Sequence, residues 1–552
     1  MPEAPLRIAV AQLPFPVGAL RENTRRILEA VRAARDEHGA DLVLFPELAV
    51  TGYPPDDLLL RGDFLAAAEA AVAEIAAACT GITAVVGAPL RRDGGVRNAA
   101  VVLAEGREAA VAYKRRLPSY SVFDDNRHFT PGEAPCVVPV AGRQVGVLVC
   151  EDLWAPAPAA DAAAAGAELL VSLNASPFHD GKQAEREAAA AQRAAETGRA
   201  VCYANLVGGH DEVVYDGASF AVDGRGRVGA RAPLLADGLY PLTVAADGAV
   251  DGPQAPRLAG PEAVYPAIVR STADYVRGNG FERVVLGLSG GIDSALTATL
   301  AADALGPEQV LAVMMPSRYT AERSLADARA VAEGLGVDYR VVPIDELFSG
   351  YEQALAPAFG DRPPDAAEEN IQARIRGNLL MALSNKLGRL LLAPGNKSEL
   401  AVGYATLYGD MCGGFAPLKD VYKTEVYRLV DYRNGLGAAV PQPVVEREPT
   451  AELRPGQRDQ DSLPPYPVLD AVLRRYMEDE AAPGELDVPG AGAEQVRQVV
   501  RMLYVSEYKR RQAAPGVKVT RRAFGRDRRY PITSGWRQQP EALAAGPSRG
   551  EN

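Results

Sequence analysis

Residues 283–294 read RVVLGLSGGIDS, from Arg283 to Ser294, and this stretch decides the fold of the second half of the chain. A short run of Val and Leu predicts a buried strand. Ser289-Gly290-Gly291-Ile292-Asp293-Ser294 follows it and opens the helix-like stretch DSALTATLAADAL. Two glycines let backbone approach a ligand closely, and a helix that starts there offers free N–H groups and a positive dipole end to a phosphate. Ser289 and Ser294 add hydroxyl donors. Asp293 sits beside phosphates only if a cation such as Mg²⁺ bridges the repulsion. The string lacks the Lys of GxxxxGK[ST], so it is not a kinase-type loop. A bare Ser-Gly-Gly turn would be ordinary; the strand before it and the helix after it predict a nucleotide loop.

Outward from this loop, strand and helix alternate: QVLAVMM, SLADARAVAEGLG and DYRVVPI follow in turn. Such units predict a doubly wound parallel sheet with ligands beyond the strand carboxyl ends. Upstream, ADGAVDGPQAPRLAGPE over 246–262 is dense in Gly, Pro and Asp and predicts a linker. The first half also alternates. LRIAVAQL, DLVLFPEL, TAVVGAPL, AAVVLAEG, QVGVLVCEDL, ELLVSLNAS and AVCYANLVGG read as strands, while TRRILEAVRAARDEHG and QAEREAAAAQRAAETG read as helices on a mixed sheet. The expected organisation is one domain over 1–245, a linker over 246–262, a second domain over 263–536 and a flexible tail over 537–552.

A chain of 552 residues is too long for one core, and 47% hydrophobic with 24% charged residues is ordinary globular composition. A formal charge of −12 argues against a nucleic-acid partner. No apolar stretch is long enough for a membrane span, and MPEAPLRIAVAQ reads as carrying no secretory leader. Five scattered cysteines without a CxxC pair fit a reducing compartment, so a cytoplasmic location is expected.

Further along, Asn370-Ile-Gln-Ala-Arg374-Ile-Arg376, Pro394-Gly-Asn-Lys-Ser-Glu399, GYATLYGDMCGGFAPLKDVYKTEV (403–426), Pro449-Thr450-Ala-Glu-Leu and RRAFGRDRRYPIT (521–533) follow in order. With the Ser289–Ser294 loop, this series resembles the NAD synthetases of the ATP pyrophosphatase group. The resemblance implies an adenine nucleotide α-hydrolase-like fold, adenylation of a carboxylate by ATP, and amidation of deamido-NAD. It places Ser289, Gly290, Gly291, Ile292, Asp293, Ser294, Lys423 and Thr450 on ATP, and Asp293 and Glu399 on Mg²⁺. Asn370, Arg374, Glu399, Asp410 and Lys509 would lie at deamido-NAD. Against that pattern, Pro394 stands where many relatives carry a Thr that touches ATP. Leu407 and Gly414 stand where ammonia-only relatives carry Lys and Asp.

In the first half, Cys150 ends the strand QVGVLV, Glu47 closes DLVLFPEL, and Lys114 follows AAVAY. All three fall at strand ends of one predicted sheet, where convergence would give a thiol nucleophile, a general base and a cation for the thiolate and oxyanion. The four histidines, His38, His128, His179 and His210, are all remote in sequence from Cys150. Glu–Lys–Cys is the better match, and a Cys–His dyad stays open. FPELAVTGYPPDDL, YKRRLPSYSVFDDNRHF and VCEDLW resemble the nitrilase superfamily, in the glutamine-amidase branch fused to NAD synthetase. That resemblance implies an α-β-β-α sandwich, catalytic Glu47, Lys114 and Cys150, and a glutamine site framed by Tyr120, Trp154, Ser176 and Lys182. Asp125 stands where many relatives have a second Glu.

Together the two resemblances imply glutamine hydrolysis feeding ammonia, through a protected passage, to ATP-dependent conversion of deamido-NAD to NAD. Glutamate, AMP and pyrophosphate would be the other products, and a homo-oligomer is implied. Two rivals stay open from the sequence: an amidase–ligase with another acceptor, and a non-catalytic scaffold that keeps the fold.

Overall fold

The structure is a computed structural model that describes residues 4–538. It divides into two compact units, the first through Ala263 and the second from Val264.

The first unit begins with β1 (Leu6–Gln12), α1 (Leu20–Asp36), β2 (Leu42–Leu44), α2 (Gly62–Ala78), β3 (Thr83–Arg92), β4 (Gly95–Ala104) and β5 (Arg107–Tyr113). It continues with β6 (Cys136–Val140), β7 (Arg143–Val149), α3 (Pro156–Ala164), β8 (Leu169–Asn174), α4 (Lys182–Thr197) and β9 (Ala200–Asn205). A hairpin of β10 (Val207–His210) and β11 (Val213–Asp216) follows, then β12 (Phe220–Val222), β13 (Val228–Arg231), β14 (Gly238–Val244) and β15 (Val250–Asp251). One sheet runs β15-β14-β1-β2-β3-β4-β5, the other β13-β12-β9-β8-β7-β6. Each is mixed, with a parallel centre (β1-β2-β3 and β7-β8-β9) flanked by antiparallel strands.

Alternation along the strands builds the layers. Leu6, Ile8 and Val10 of β1 enter one core with Val145, Val147 and Val171 of the other sheet. Ala9 and Ala11, on the opposite face, pack with Ile27 and Val31 of α1 and Val72 and Ile75 of α2. Helices α3 and α4 cover the outside of the second sheet through Ala159, Ala162, Ala190 and Ala194. The result is the α-β-β-α sandwich that the nitrilase resemblance implies.

The stretch 246–262 is not a free connector. Val250 and Asp251 pair with β14, Ala255 donates its N–H to the Arg231 carbonyl at 2.9 Å, and Arg257 pairs with Glu187 at 3.3 Å. Its turn-forming composition is real, but its backbone groups are satisfied by the sheet edge, which local propensity does not reveal.

The second unit carries α5 (Pro261–Gly278), β16 (Val284–Gly287), α6 (Ile292–Leu305), β17 (Val310–Met314), α7 (Glu322–Leu335) and β18 (Asp338–Val341). Next come α8 (Asp345–Phe359), α9 (Ala366–Leu387), β19 (Leu390–Leu392), α10 (Lys397–Val402) and α11 (Lys423–Leu436). The short α12 (Gln442–Val445), α13 (Tyr466–Met477) and α14 (Ala493–Val505) follow. Four parallel strands order as β18-β17-β16-β19. The order reverses between β16 and β19, which opens a crevice at their carboxyl ends. From residue 539 onward, the tail expected over 537–552 lies outside the described residues.

Candidate active sites

In the first unit, Glu47, Lys114 and Cys150 follow the carboxyl ends of β2, β5 and β7 and are all buried. Gly87 of β3 makes room for the Glu47 segment, since a Cβ there would lie 2.2 Å from the Leu48 nitrogen and 2.5 Å from the Pro46 carbonyl oxygen. Cys150 has a φ of +48° where β7 breaks into a short 3₁₀ turn, a backbone conformation uncommon for a side-chain-bearing residue and frequent at functional sites.

Lys114 Nζ donates to Glu47 Oε1 at 2.7 Å and to Asp125 Oδ2 at 2.6 Å. Asn98 Nδ2 also donates to Glu47 Oε1, at 2.7 Å, while Glu47 Oε2 accepts the Ala175 N–H at 3.1 Å. Asp125 Oδ1 accepts from the Tyr53 hydroxyl at 3.2 Å. The shorter carboxylate at 125 therefore still reaches the lysine. Burial holds the Cys150 thiol well above the ordinary cysteine range; Glu47 adds to this by charge and by hydrogen bonding, and Lys114 opposes it. Burial pushes the Lys114 ammonium down, but Glu47, Asp125 and Cys150 outweigh it and keep the lysine charged. The resting nucleophile is thus a thiol whose proton faces a carboxylate, with a fixed cation beside it. His128 instead pairs with Asp57 at 2.9 Å, and the charged groups acting most strongly on the thiol are Glu47, Lys114 and Glu151.

Around this cluster, Tyr120 is exposed and donates its hydroxyl to both Glu151 oxygens at 3.0 Å. Burial raises the Glu151 carboxyl, and Lys114, Lys182 and Glu47 all act on it. Lys182 Nζ lies 4.2 Å from the Trp154 ring centroid and donates to Glu185 at 3.0 Å. Ser176 is buried, its hydroxyl accepting from Arg186 Nε at 3.0 Å while Arg186 pairs with Asp216 at 2.8 Å. Tyr120 therefore meets the cysteine's surroundings at Glu151 by hydrogen bonds and Lys182 acts there by charge, Trp154 lies under Lys182, and Ser176 is anchored by a buried arginine.

Sequence reasoning gave no role to Asn98, Glu151 or Asp152. Asp152 accepts the N–H groups of Arg115 and Arg116 at 2.9 and 2.8 Å and that of Val149 at 3.2 Å, tying the Lys114 segment to the Cys150 turn. Burial pushes its carboxyl up to about 6. The one available signal was a pair of acids directly after the cysteine in VCEDLW.

In the second unit, a cavity of about 300 Å³ opens at the end of β16. Ser289, Gly291, Ile292, Asp293, Ser294, Lys423 and Thr450 line it, as do Glu399 and Asp410. Gly290 has a φ of +82°, and a Cβ there would come within 2.5 Å of the Ser324 carbonyl oxygen, so glycine is required. Ser294 Oγ donates to the Gly291 carbonyl at 2.9 Å and accepts the Ser289 N–H at 3.2 Å, which shapes the loop at the start of α6. Pro394 also lines the cavity.

Asp293 and Glu399 both face Lys423, whose Nζ donates to Asp293 and, at 3.4 Å, to Glu399 Oε1. Asn396 Nδ2 donates to Asp293 at 3.0 Å. Burial above all, with Asp293 and Asp459 against Lys423, pushes the Glu399 carboxyl up to about 8. Two carboxylates beside a phosphate-ready loop fit Mg²⁺, which takes one or two protein carboxylates and completes its shell with phosphate oxygens and water. Lys423 supplies the compensating charge in this structure.

Asn370, Arg374 and Lys509 do not line the cavity. They clasp the adjacent 403–410 loop: Asn370 accepts from Thr406 Oγ1 at 2.8 Å, Arg374 donates to the Leu407 carbonyl at 3.2 Å, and Lys509 donates to the Gly403 and Ala405 carbonyls at 2.9 and 2.8 Å. Asp410 accepts the Thr406 N–H at 2.6 Å, and burial pushes its carboxyl up to about 6.

Comparison with known proteins agrees with this two-part geometry. Residues 7–248 match the carbon-nitrogen hydrolase family and 264–513 the NAD synthase family. The chain is 53% identical over 542 residues to the glutamine-dependent NAD(+) synthetase of Xanthomonas campestris pv. campestris, covering 97% of this chain and 98% of that one. It is 44% identical to the enzyme of the same name from Acinetobacter baylyi, covering 96% and 99%. Among solved structures, the glutamine-dependent NAD+ synthetase of Acinetobacter baumannii in complex with ADP superposes with a TM-score of 0.79 at 41% identity, covering 97% of this chain and 99% of that one. With near-complete coverage of relatives that carry both parts in one polypeptide, the chain belongs to the glutamine-dependent NAD(+) synthetases.

Proposed function

We propose that the first unit hydrolyses glutamine at Cys150 and that the second uses the ammonia to amidate deamido-NAD with ATP, releasing NAD, glutamate, AMP and pyrophosphate. The observation that carries the reading is the Cys150 thiol set against Glu47, with Lys114 fixed between Glu47 and Asp125. Glu47 takes the thiol proton as sulfur attacks the side-chain amide carbon and returns it to the departing ammonia. Water, its proton taken by Glu47, then attacks the thioester carbon; the C–S bond breaks, glutamate leaves, and the Cys150 sulfur takes the proton back from Glu47. Lys114 stabilises the thiolate and the developing oxyanion. Glu151, presented by Tyr120, suits the α-ammonium of glutamine, while Lys182, Trp154 and Ser176 frame the rest of the substrate.

In the second unit, the Ser289–Ser294 loop and the α6 N-terminus receive the ATP phosphates, with Lys423 and Thr450 beside them. Asp293 and Glu399 would hold Mg²⁺, which when bound compensates the charge of leaving pyrophosphate. Asn370, Arg374, Asp410 and Lys509 order the loop that meets deamido-NAD. A cytoplasmic setting, which five free thiols suit, and a homo-oligomer belong to the same reading; among the described residues no helix is long and apolar enough to cross a membrane.

The test is NAD formation from deamido-NAD and ATP with Mg²⁺, supplied with glutamine or with ammonium. Cys150→Ala is expected to lower the glutamine route on the order of 10⁴-fold or more while sparing ammonium, and Asp293→Ala to damage both. Intact glutamine use in Cys150→Ala would defeat the assignment of the first site.

A further inference from the structure

Asn98 is 1% exposed and sits in β4, one residue before the Ala99–Tyr113 pair of the β4–β5 ladder. That register sets its main chain opposite Lys114, whose N–H it accepts at 2.8 Å. Its side chain reaches the other catalytic group, with Nδ2 donating to Glu47 Oε1 at 2.7 Å. The same residue thus touches the base through its side-chain amide and the main chain of the lysine through its carbonyl. The remaining polar atom, Asn98 Oδ1, is buried and has no hydrogen-bond partner among the described residues.

A buried amide oxygen without a partner costs about 1–3 kcal/mol, and an apolar side chain of the same shape would avoid that cost. In a purely structural position Leu would serve better, because the β4–β5 ladder uses only the backbone. What Leu lacks is the donor to Glu47. A donor to the ionised form favours the charge a base must carry, and it also fixes the carboxylate plane.

We propose that Asn98 is a positioning residue for glutamine hydrolysis: its amide holds Glu47 in orientation and keeps it ionised as the proton acceptor for Cys150. The inference rests on the role of Glu47 proposed above.

The test uses the full chain with Asn98→Leu, Asn98→Asp and Glu47→Gln in parallel, reading glutamine-dependent and ammonium-dependent NAD formation across pH. Asn98→Leu is expected to lower glutamine-dependent kcat roughly 10- to 100-fold, part of what a general base contributes, with KM for glutamine little changed. The acid limb of the kcat profile moves to higher pH, because a carboxylate that loses a donor holds its proton more tightly. Asn98→Asp sets a second carboxylate beside Glu47 and is expected to move the limb further. Ammonium-dependent synthesis, made in the other unit, monitors folding of the second half, and glutamine-analogue labelling of Cys150 monitors folding of the first. An unchanged kcat and acid limb in both Asn98 variants, with Glu47→Gln inactive on glutamine, overturns this inference alone. A loss confined to KM also overturns it. Glutamine use that survives in Glu47→Gln overturns the reading beneath it.

Discussion

Two lysines, Lys114 and Lys423, each hold a pair of carboxylates, and the surroundings of the two clusters differ in one respect. The side chains of Lys114, Glu47 and Asp125 are 0%, 0% and 5% exposed. Asp293 and Glu399 keep 18% and 19% exposure at the cavity of the second unit, around a nearly buried Lys423. The first cluster is closed: both Glu47 oxygens are taken, and each charge has a protein partner. The second leaves Glu399 pushed up to about 8, burial outweighing the single Lys423 that it shares with Asp293. On the function proposed above, the difference follows the chemistry. Amide hydrolysis at a thiol uses only groups the chain supplies, whereas phosphate chemistry brings its own charges and needs room for them.

The largest effect expected from this contrast is at Lys114. Lys114→Ala leaves two carboxylates buried without their cation, a loss of about 3–5 kcal/mol, and it removes glutamine hydrolysis entirely. Thermal unfolding followed with glutaminase assays checks both, and added Mg²⁺ is expected to restore neither. Lys423→Met is expected to cost less, about 1–2 kcal/mol, because its carboxylates border an open cavity and are partly solvated. There Mg²⁺ should recover much of the stability. Equal losses at the two lysines, or rescue of both by the cation, would erase the distinction.

The same contrast explains what could be read from the sequence. Strands that end in chemistry, such as β7 into Cys150 and β16 into Ser289, are legible because an apolar run of fixed length stops at a polar or glycine residue. The turn of the Ser289–Ser294 loop was legible, because its needs are local: glycine at 290 for the turn and hydroxyls within five residues. In the closed cluster, Glu47, Lys114 and Cys150 were legible at strand ends, and Asp125 through resemblance. Asn98 lies in an ordinary run, RNAAVV, and its meaning depends on the register between β4 and β5. Gly87 reads as a weak spot in a strand until Pro46–Leu48 is seen lying against it. Strand β15 is built from Gly- and Pro-rich, turn-forming sequence that only its pairing with β14 makes regular. Asn370, Arg374 and Lys509 were found through resemblance, and their grip on the 403–410 loop, through the Thr406 hydroxyl and the main-chain carbonyls of Gly403, Ala405 and Leu407, has no sequence signal.

The smallest expected effect is also the most discriminating, because it concerns a single proton. Burial, against the pull of Lys423 and with the help of Asp293 and Asp459, raises the Glu399 carboxyl from 4.5 to about 8. A carboxyl raised on folding binds its proton more tightly in the native state. Its contribution to stability is therefore full below its unfolded value and is lost as pH rises through its folded one. The parent protein without Mg²⁺ should lose thermal stability across that window. Glu399→Gln, which carries no titrating group, should match the parent near about pH 5 and exceed it above about pH 8. A gain of about 1 kcal/mol there would raise the midpoint of the second unit by about 2–4 °C. Mg²⁺ should stabilise the parent above that pH and leave Glu399→Gln nearly unmoved, since the cation needs the carboxylate it neutralises. A parent whose midpoint stays level through the window, tracked throughout by Glu399→Gln, would mean that Lys423 already completes the countercharge and that the second cluster is as closed as the first.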